Sequence, residues 1–205
     1  MIDSAVALFS DKGVDNVSVR ELTSHAQVNV AAINYHFGSK EQLAELVFEQ
    51  LTARISKSRA DELERVLAAA KARASRPELE SIVRAFIRPY VDLSMRTEGA
   101  LLAQFILQHR LRPSAMTARL IGKYFDPLAR AFIDAMAQAC PAVPRTEFYW
   151  RYTFMVSTVV LTVSDTTRIN RLVRLSDGKA DPSDTTALEG ALTRFLLGAL
   201  SAPKA

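Results

Sequence analysis

Cysteine is almost missing from this chain: Cys140 stands alone in 205 residues, which excludes an intramolecular disulfide and suits a reducing compartment. With no histidine or second cysteine beside it, Cys140 reads as a structural thiol and not as a metal ligand. Histidine is scarce too, at three residues. His25 and His109 lack metal-ligand spacing to each other or to carboxylates, and no G-x-S-x-G, Walker or H-E-x-x-H pattern occurs. We therefore expect no enzyme, no metal and no other cofactor. No uninterrupted apolar run of about eighteen residues is present, so no membrane-spanning segment is expected. Met1 leads directly into an amphipathic segment without a charged leader and apolar core, which points to a cytoplasmic protein with no membrane partner. Glycine is rare, at 7 residues, leaving long stretches without a breaker. A composition of 49% hydrophobic and 23% charged residues is that of a globular fold and not of a disordered chain.

An excess of positive charge is lacking where a nucleic-acid binder would need it. The whole chain carries a formal charge of +4, yet residues 1–50 hold only Lys12, Arg20 and Lys40 against Asp3, Asp11, Asp15, Glu21, Glu41, Glu45 and Glu49, a net of −4. Bulk charge gives no argument for nucleic acid. Any such argument has to rest on which few side chains face phosphates, since that attraction is a local sum over contacts.

What the chain has in abundance is helical periodicity. Apolar residues recur at three- and four-residue spacing nearly throughout, so the fold class is all-α. Ile2, Val6 and Phe9 make one face of a short first helix that ends at Gly13. Ser18 with Glu21 forms a capping box opening a second helix to about His25, and Asn29 is placed to cap a third from Val30 to Phe37. Gly38 ends that helix, and Ser39 caps a long fourth one whose apolar spacing runs unbroken to Pro77. Further helices are predicted near 78–96, 98–110, 114–139, 145–173 and 184–201. Pro89 and Pro127 fall inside this periodicity, where each should kink or restart a helix. Val156 to Val163 is rich in β-branched residues, but no partner strand exists elsewhere, so it reads as helix.

Three short helices followed at once by a long one are the arrangement of a helix-turn-helix on its scaffold. The spacing turns Leu22, Ala26, Val28, Ile33 and Phe37 inward against Val6, Phe9 and Leu43. Val30, Ala31, Asn34 and Tyr35 are left facing outward, a surface that fits a major groove, where asparagine bonds adenine edges and small apolar groups touch thymine methyls. His36 has two readings, a packing histidine beneath this helix or a phosphate contact. Lys40 stands at a helix N-terminus, where the dipole disfavours a cation, and this points to an anionic partner.

The stretch "ALFSDKGVDNVSVRELTSHAQVNVAAINYHFGSKEQL" resembles the signature of the TetR family of regulators in order, spacing and residue type. The resemblance covers about Ala5 to Leu51. It implies that Ser18 and Arg20 meet phosphates, that the outward residues of the third helix read bases, and that the lysine opening helix four contacts a phosphate. The implied DNA-binding set is Ser18, Arg20, Val30, Ala31, Ala32, Asn34, Tyr35, His36 and Lys40. Gln27 stands where the family usually has a glycine, so either a non-glycine residue occupies an uncommon backbone region there or the turn differs from the family's. "NVAAINYHFGSK" is similar to a narrower branch that includes the fatty-acid-responsive PsrA regulators.

These readings divide the chain into a helix-turn-helix domain, 1–48, and a ligand-binding and dimerisation domain, 49–205. The second part carries more large apolar surface than three short helices require, and similar regulators enclose a pocket of about 300 to 1,000 Å³. The expected ligand-binding residues are Phe86, Tyr90, Phe105, Tyr124, Trp150 and Phe154, with Arg151 as an anchor for a carboxylate. A hydrophobic effector is expected, first a long-chain fatty acid or acyl thioester and second a drug-like aromatic. One recognition helix reads only a few base pairs, which calls for a homodimer on a palindromic double-stranded operator, paired through the last two long helices with Leu188, Leu192, Phe195 and Leu196. Two other classes compete. A helical enzyme would have to assemble its site from scattered residues, and a helical interaction protein would carry a degenerate helix-turn-helix.

Overall fold

The computed structural model describes residues 1–164 and 171–202, and the side chains within them except at 32–34 and 164. Among the described residues every regular element is a helix. Helices α1 (Ile2–Lys12), α2 (Val19–Ala26) and α3 (Val30–Phe37) form the N-terminal unit, and α4 (Lys40–Ala72) leaves it as one 33-residue rod, roughly 50 Å long at 1.5 Å per residue. Then follow α5 (Leu79–Ser94), α6 (Thr97–Leu111), α7 (Ala115–Leu120), a π-helical turn (Ile121–Phe125), α8 (Asp126–Ala139), α9 (Glu147–Ser164), α10 (Arg171–Leu175) and α11 (Thr185–Ser201). The expected helix over 145–173 is described as α9 and α10, and 165–170 lie outside the described residues.

Local chemistry sets these boundaries. The Ser18 hydroxyl accepts from the Glu21 N–H while the Glu21 carboxylate accepts from the Ser18 N–H, closing the capping box of α2. Gln27 takes the left-handed conformation, φ 53 and ψ 44, in place of the family's glycine. Its N–H bonds the Ser24 carbonyl and the Val28 N–H bonds the Thr23 carbonyl, so α2 ends in a Schellman closure. Helix α4 stops at Ala72, earlier than the expected Pro77. Ala74 is left-handed, φ 49, the Ser75 N–H bonds back to the Ala70 carbonyl, and the residue before Pro77 is itself biased away from helix.

The expected single helix over 114–139 is split for a physical reason. Pro127 has no N–H to give to the preceding turn, and the chain widens just before it. The Asp126 N–H reaches back to the Ile121 carbonyl, five residues away, and α8 restarts with the proline in its first turn. Such π turns tend to mark functional positions.

One apolar core runs from Phe9 and Leu22 through Leu43 and Phe48 into Phe86, Phe105 and Phe132. Each of these side chains contributes roughly 1.5 to 3 kcal/mol by leaving water. The Phe48 and Phe105 rings lie 5.0 Å apart, tying α4 to α6, and α1 also rests on α6. The division at 48/49 thus falls inside a continuous helix and a continuous core. At Gly99 the turn into α6 comes so close that a Cβ would stand 2.6 Å from the Leu93 carbonyl oxygen, so only glycine fits.

Candidate nucleic-acid interface and ligand cavity

The outward face of α3 is built as its spacing requires. Val30, Ala31 and Tyr35 are exposed, with Tyr35 at 85%. The side chains of Ala32 and Asn34 lie outside the described residues. His36 is exposed, with its ring edge-on to Tyr35 at 5.0 Å, so it is not buried beneath the helix. Val28, expected inward, is exposed. The Schellman closure holds its backbone on the rim of the turn, away from the core that Leu22 and Phe9 fill.

The cations of this unit are distributed in a way the sequence did not reveal. Lys12 pairs with Glu21 at 2.8 Å. That contact, together with the Ser18 hydrogen bonds, holds the Glu21 carboxyl down at about 2. Lys40 does not point out as a free cation. Its ammonium donates to the carbonyls of Val14 and Val17, 3.1 Å each, pinning the loop between α1 and α2 and leaving one N–H for any other acceptor. These carbonyls explain how a lysine is tolerated at a helix N-terminus. The Ser18 hydroxyl is held by Glu21. Arg20 is exposed and, among the described residues, has no ion pair. Among the described residues it is thus an uncommitted cation near α3.

Beyond this unit, α4, α5, α6, the π turn, α8 and α9 line a cavity of about 290 Å³ that opens to solvent on one side. Ile106, Ile121, Phe125 and Val156 make its apolar wall, and the exposed Arg110, Asp126 and Thr153 stand at its mouth. At its inner end lie Tyr90, Tyr152 and Arg59. Arg59 is 0% exposed, and the sequence reading missed it. Its guanidinium stands over the rings of Phe86, Tyr90 and Phe132, 4.2, 5.0 and 5.1 Å from their centroids. It donates to the phenol oxygens of Tyr90 at 3.2 Å and Tyr152 at 3.5 Å, while Nε has no acceptor. Burying an ion costs several kcal/mol even after relaxation, and a desolvated cation–π contact returns about 2 kcal/mol. Burial raises the Tyr90 phenol above its ordinary value, so Tyr90 stays protonated and able to donate.

The other residues expected at a ligand site are placed elsewhere. Phe86 lies one layer behind the cavity, under Arg59. Phe105 is core against Phe48. Tyr124 turns toward α4, where its hydroxyl donates to Glu49 at 3.0 Å. Arg151 lies outside the lining of this cavity, and its guanidinium donates to the carbonyls of Leu200 and Ala202, where a cation complements the end of α11. Trp150 and Phe154, 66% and 61% exposed, stack on each other on the outer face of α9. Among the described residues no cluster of His, Cys, Asp or Glu is arranged to hold a metal, and no helix is long and apolar enough to cross a membrane.

Two family models match separate stretches of the chain. Residues 1–47 match the family model for bacterial regulatory proteins of the tetR family. Residues 84–199, more than half of the chain, match the model for a tetracyclin repressor-like C-terminal domain. The HTH-type transcriptional dual regulator CecR of Shigella flexneri is 30% identical over 136 residues, 62% of this chain and 57% of its own length. The chain thus spans little more than half of that curated relative. Among solved structures, the fatty acid degradation regulator FadR from Bacillus halodurans has a TM-score of 0.66 at 16% identity, covering 96% of both chains. The ketosteroid transcriptional regulator KstR2 of Mycobacterium tuberculosis gives 0.65 at 13%, covering 97% of this chain and 91% of its own. At such identities the structural likeness shows the fold alone. The two family models show the membership: this chain belongs to the TetR family of transcriptional regulators and has the architecture of a ligand-responsive DNA-binding protein, not of an enzyme.

Proposed function

We propose that the protein is a repressor that holds a palindromic operator as a homodimer and releases it when a hydrophobic small molecule enters the cavity. In this reading Ser18, Arg20 and His36 meet phosphates, Lys40 has one remaining N–H to offer them, and the outward set Val30, Ala31, Ala32, Asn34 and Tyr35 reads bases. One observation carries the coupling. The π turn that walls the cavity with Ile121 and Phe125 also holds α4, through Lys123 on Glu49 at 2.8 Å and Tyr124 on Glu49 at 3.0 Å. Arg119 in α7 reaches Glu45 in the same way. A ligand that shifts this turn shifts the rod on which α3 is mounted.

The effector we favour is a fatty acid or its acyl thioester, with a drug-like aromatic second. The apolar wall supports this, as does the branch resemblance of the recognition helix. Two structural neighbours, by their names, serve fatty acid degradation and ketosteroid regulation. A hundredfold loss of operator affinity requires the ligand to prefer the released state by about 2.7 kcal/mol. Linkage makes the effect reciprocal, so operator DNA must weaken ligand binding equally. The test is to titrate oleate or its coenzyme A thioester into the protein with and without an operator selected from genomic DNA. If neither lipid nor a panel of aromatic drugs changes operator affinity by a few fold, the release model fails and a constitutive DNA binder remains. If no sequence is preferred over random DNA, the degenerate helix-turn-helix reading takes its place.

Two variant sets test the wiring. Glu49→Gln is expected to leave operator affinity within a few fold while cutting ligand-induced release at least fivefold, a coupling loss of about 1 kcal/mol. Unchanged release would remove the π turn from the path. Arg20→Ala should make the logarithmic salt dependence of DNA binding shallower by about 0.9 per phosphate contact. Lys40→Met should instead destabilise the fold by about 1 to 3 kcal/mol through the two carbonyls it abandons, visible as a lower melting temperature without DNA. A salt slope that responds to Lys40 and ignores Arg20 would reverse this division.

A further inference from the structure

We infer that the cavity is a receptor for a free carboxylate at the head of an apolar chain, with Arg59 as its counter-charge. This rests on the cavity being the effector site and names the chemistry it selects. Arg59 is always charged, it is fully buried, and among the described residues it has no ion-pair partner. Three aromatic faces stabilise the cation but leave its charge in place. Both phenol oxygens that it bonds are already acceptors, so each has its own O–H proton to give away. Tyr90 and Tyr152 both line the cavity. Its inner end therefore presents two phenol donors, polarised by a guanidinium behind them, and no carboxylate. The one acidic group in the lining, Asp126, is exposed at the mouth.

An arrangement of donors around an uncompensated cation is complementary to an anion. Beyond that end, Ile106, Ile121, Phe125 and Val156 make a wall complementary to hydrocarbon, His109 lines the cavity with its Nδ1 held on the Thr117 hydroxyl, and Arg110, on the Ser157 hydroxyl, stands with Thr153 at the mouth. A volume of about 290 Å³ stands at the small end for ligand pockets. A thioester carbonyl carries no charge, so donors backed by a buried cation favour the free acid over its thioester. Binding neutralises a buried charge that the empty protein carries at a cost, so the acid must also stabilise the fold.

The experiment is calorimetric titration of the DNA-free protein with decanoate, oleate and the neutral isostere decanamide, at a pH where the acids are ionised. Decanoate is expected to bind at least tenfold more tightly than decanamide. Arg59→Met should erase that preference while keeping decanamide binding, and should melt at or above the temperature of the native protein when both are empty. Should Arg59→Met fail to fold, Tyr152→Phe decides: it keeps the ring and removes one donor, and should reduce the preference for the acid several fold. Equal binding of acid and amide by the native protein, or a preference that survives both substitutions, overturns the assignment. That outcome leaves release of operator by neutral apolar compounds untouched. Conversely, charge-dependent decanoate binding with no change in operator affinity would count against the repressor reading and not against the anion site.

Discussion

Tyr35→Ala is expected to remove most of the sequence discrimination of this protein without altering its helical content. The ring is 85% exposed and stands outside the apolar core, so its loss costs no core packing. If each ring reads one base edge, its removal costs about 1 to 3 kcal/mol per recognition helix. Two helices on a palindrome double that, giving a loss of operator affinity from about 30-fold to above 10⁴-fold. The salt slope should hardly move, because no phosphate contact is lost. Competition between operator and random DNA at fixed salt measures the ratio. A variant that lost operator and random DNA in equal proportion would make Tyr35 a backbone contact and shift the reading of bases to Asn34 and its neighbours.

Much of this surface is legible in the sequence because its causes are local. Capping by Ser18 with Glu21, the turn at Gln27 and the end of α3 at Gly38 each depend on residues within a few positions of one another. Lys40 was not legible in the same way. Its partners are carbonyls 23 and 26 residues away, and nothing in a sequence records where a backbone oxygen will point. Arg59 is an intermediate case. Leu51, Ile55, Arg59 and Leu63 follow at intervals of four and are all buried, so a cation stands within the apolar stripe of a helix. That irregularity could have been read as a buried charge in need of a partner. Arg151, by contrast, sits among aromatics and looked like an anchor, yet the carbonyl end of α11 claims it.

The ligand half also shows how apolar content alone misleads. In α11 Leu188, Leu192, Leu196 and Leu200 recur every four residues and line one side of the helix, and its contact with α5 decides that this side meets the chain's own core. Leu188, Leu192 and Leu196, expected at a dimer interface, are buried in the chain's own core. Phe195, expected there as well, is 62% exposed. The same selection operates on α9, where Phe148, Met155 and Val159 are buried while Trp150, Phe154 and Leu161 remain exposed.

This sorting leads to the second large expected effect. Trp150, Phe154 and Leu161 fall within about 40° of one another around α9 at 100° per residue, and α11, which carries Phe195, packs beside α9. Large apolar side chains gathered on one face normally mark an interaction surface. A two-fold axis through this face would bring four helices together, two from each copy. The double variant Trp150→Glu with Phe195→Glu places two charges per copy on exposed positions of α9 and α11 and none in the core. Light scattering at micromolar concentration should then report a monomer with unchanged helicity. Operator affinity should fall by about 10² to 10⁴-fold as the second recognition helix is no longer tethered to the first, while binding to one half-site persists. Leu192→Ala serves as the contrast. It hollows the core, costs about 2 to 5 kcal/mol of stability and should leave the folded fraction dimeric. A double variant that still scatters as a dimer would move the two-fold axis to another face of the bundle, and with it the spacing expected between operator half-sites.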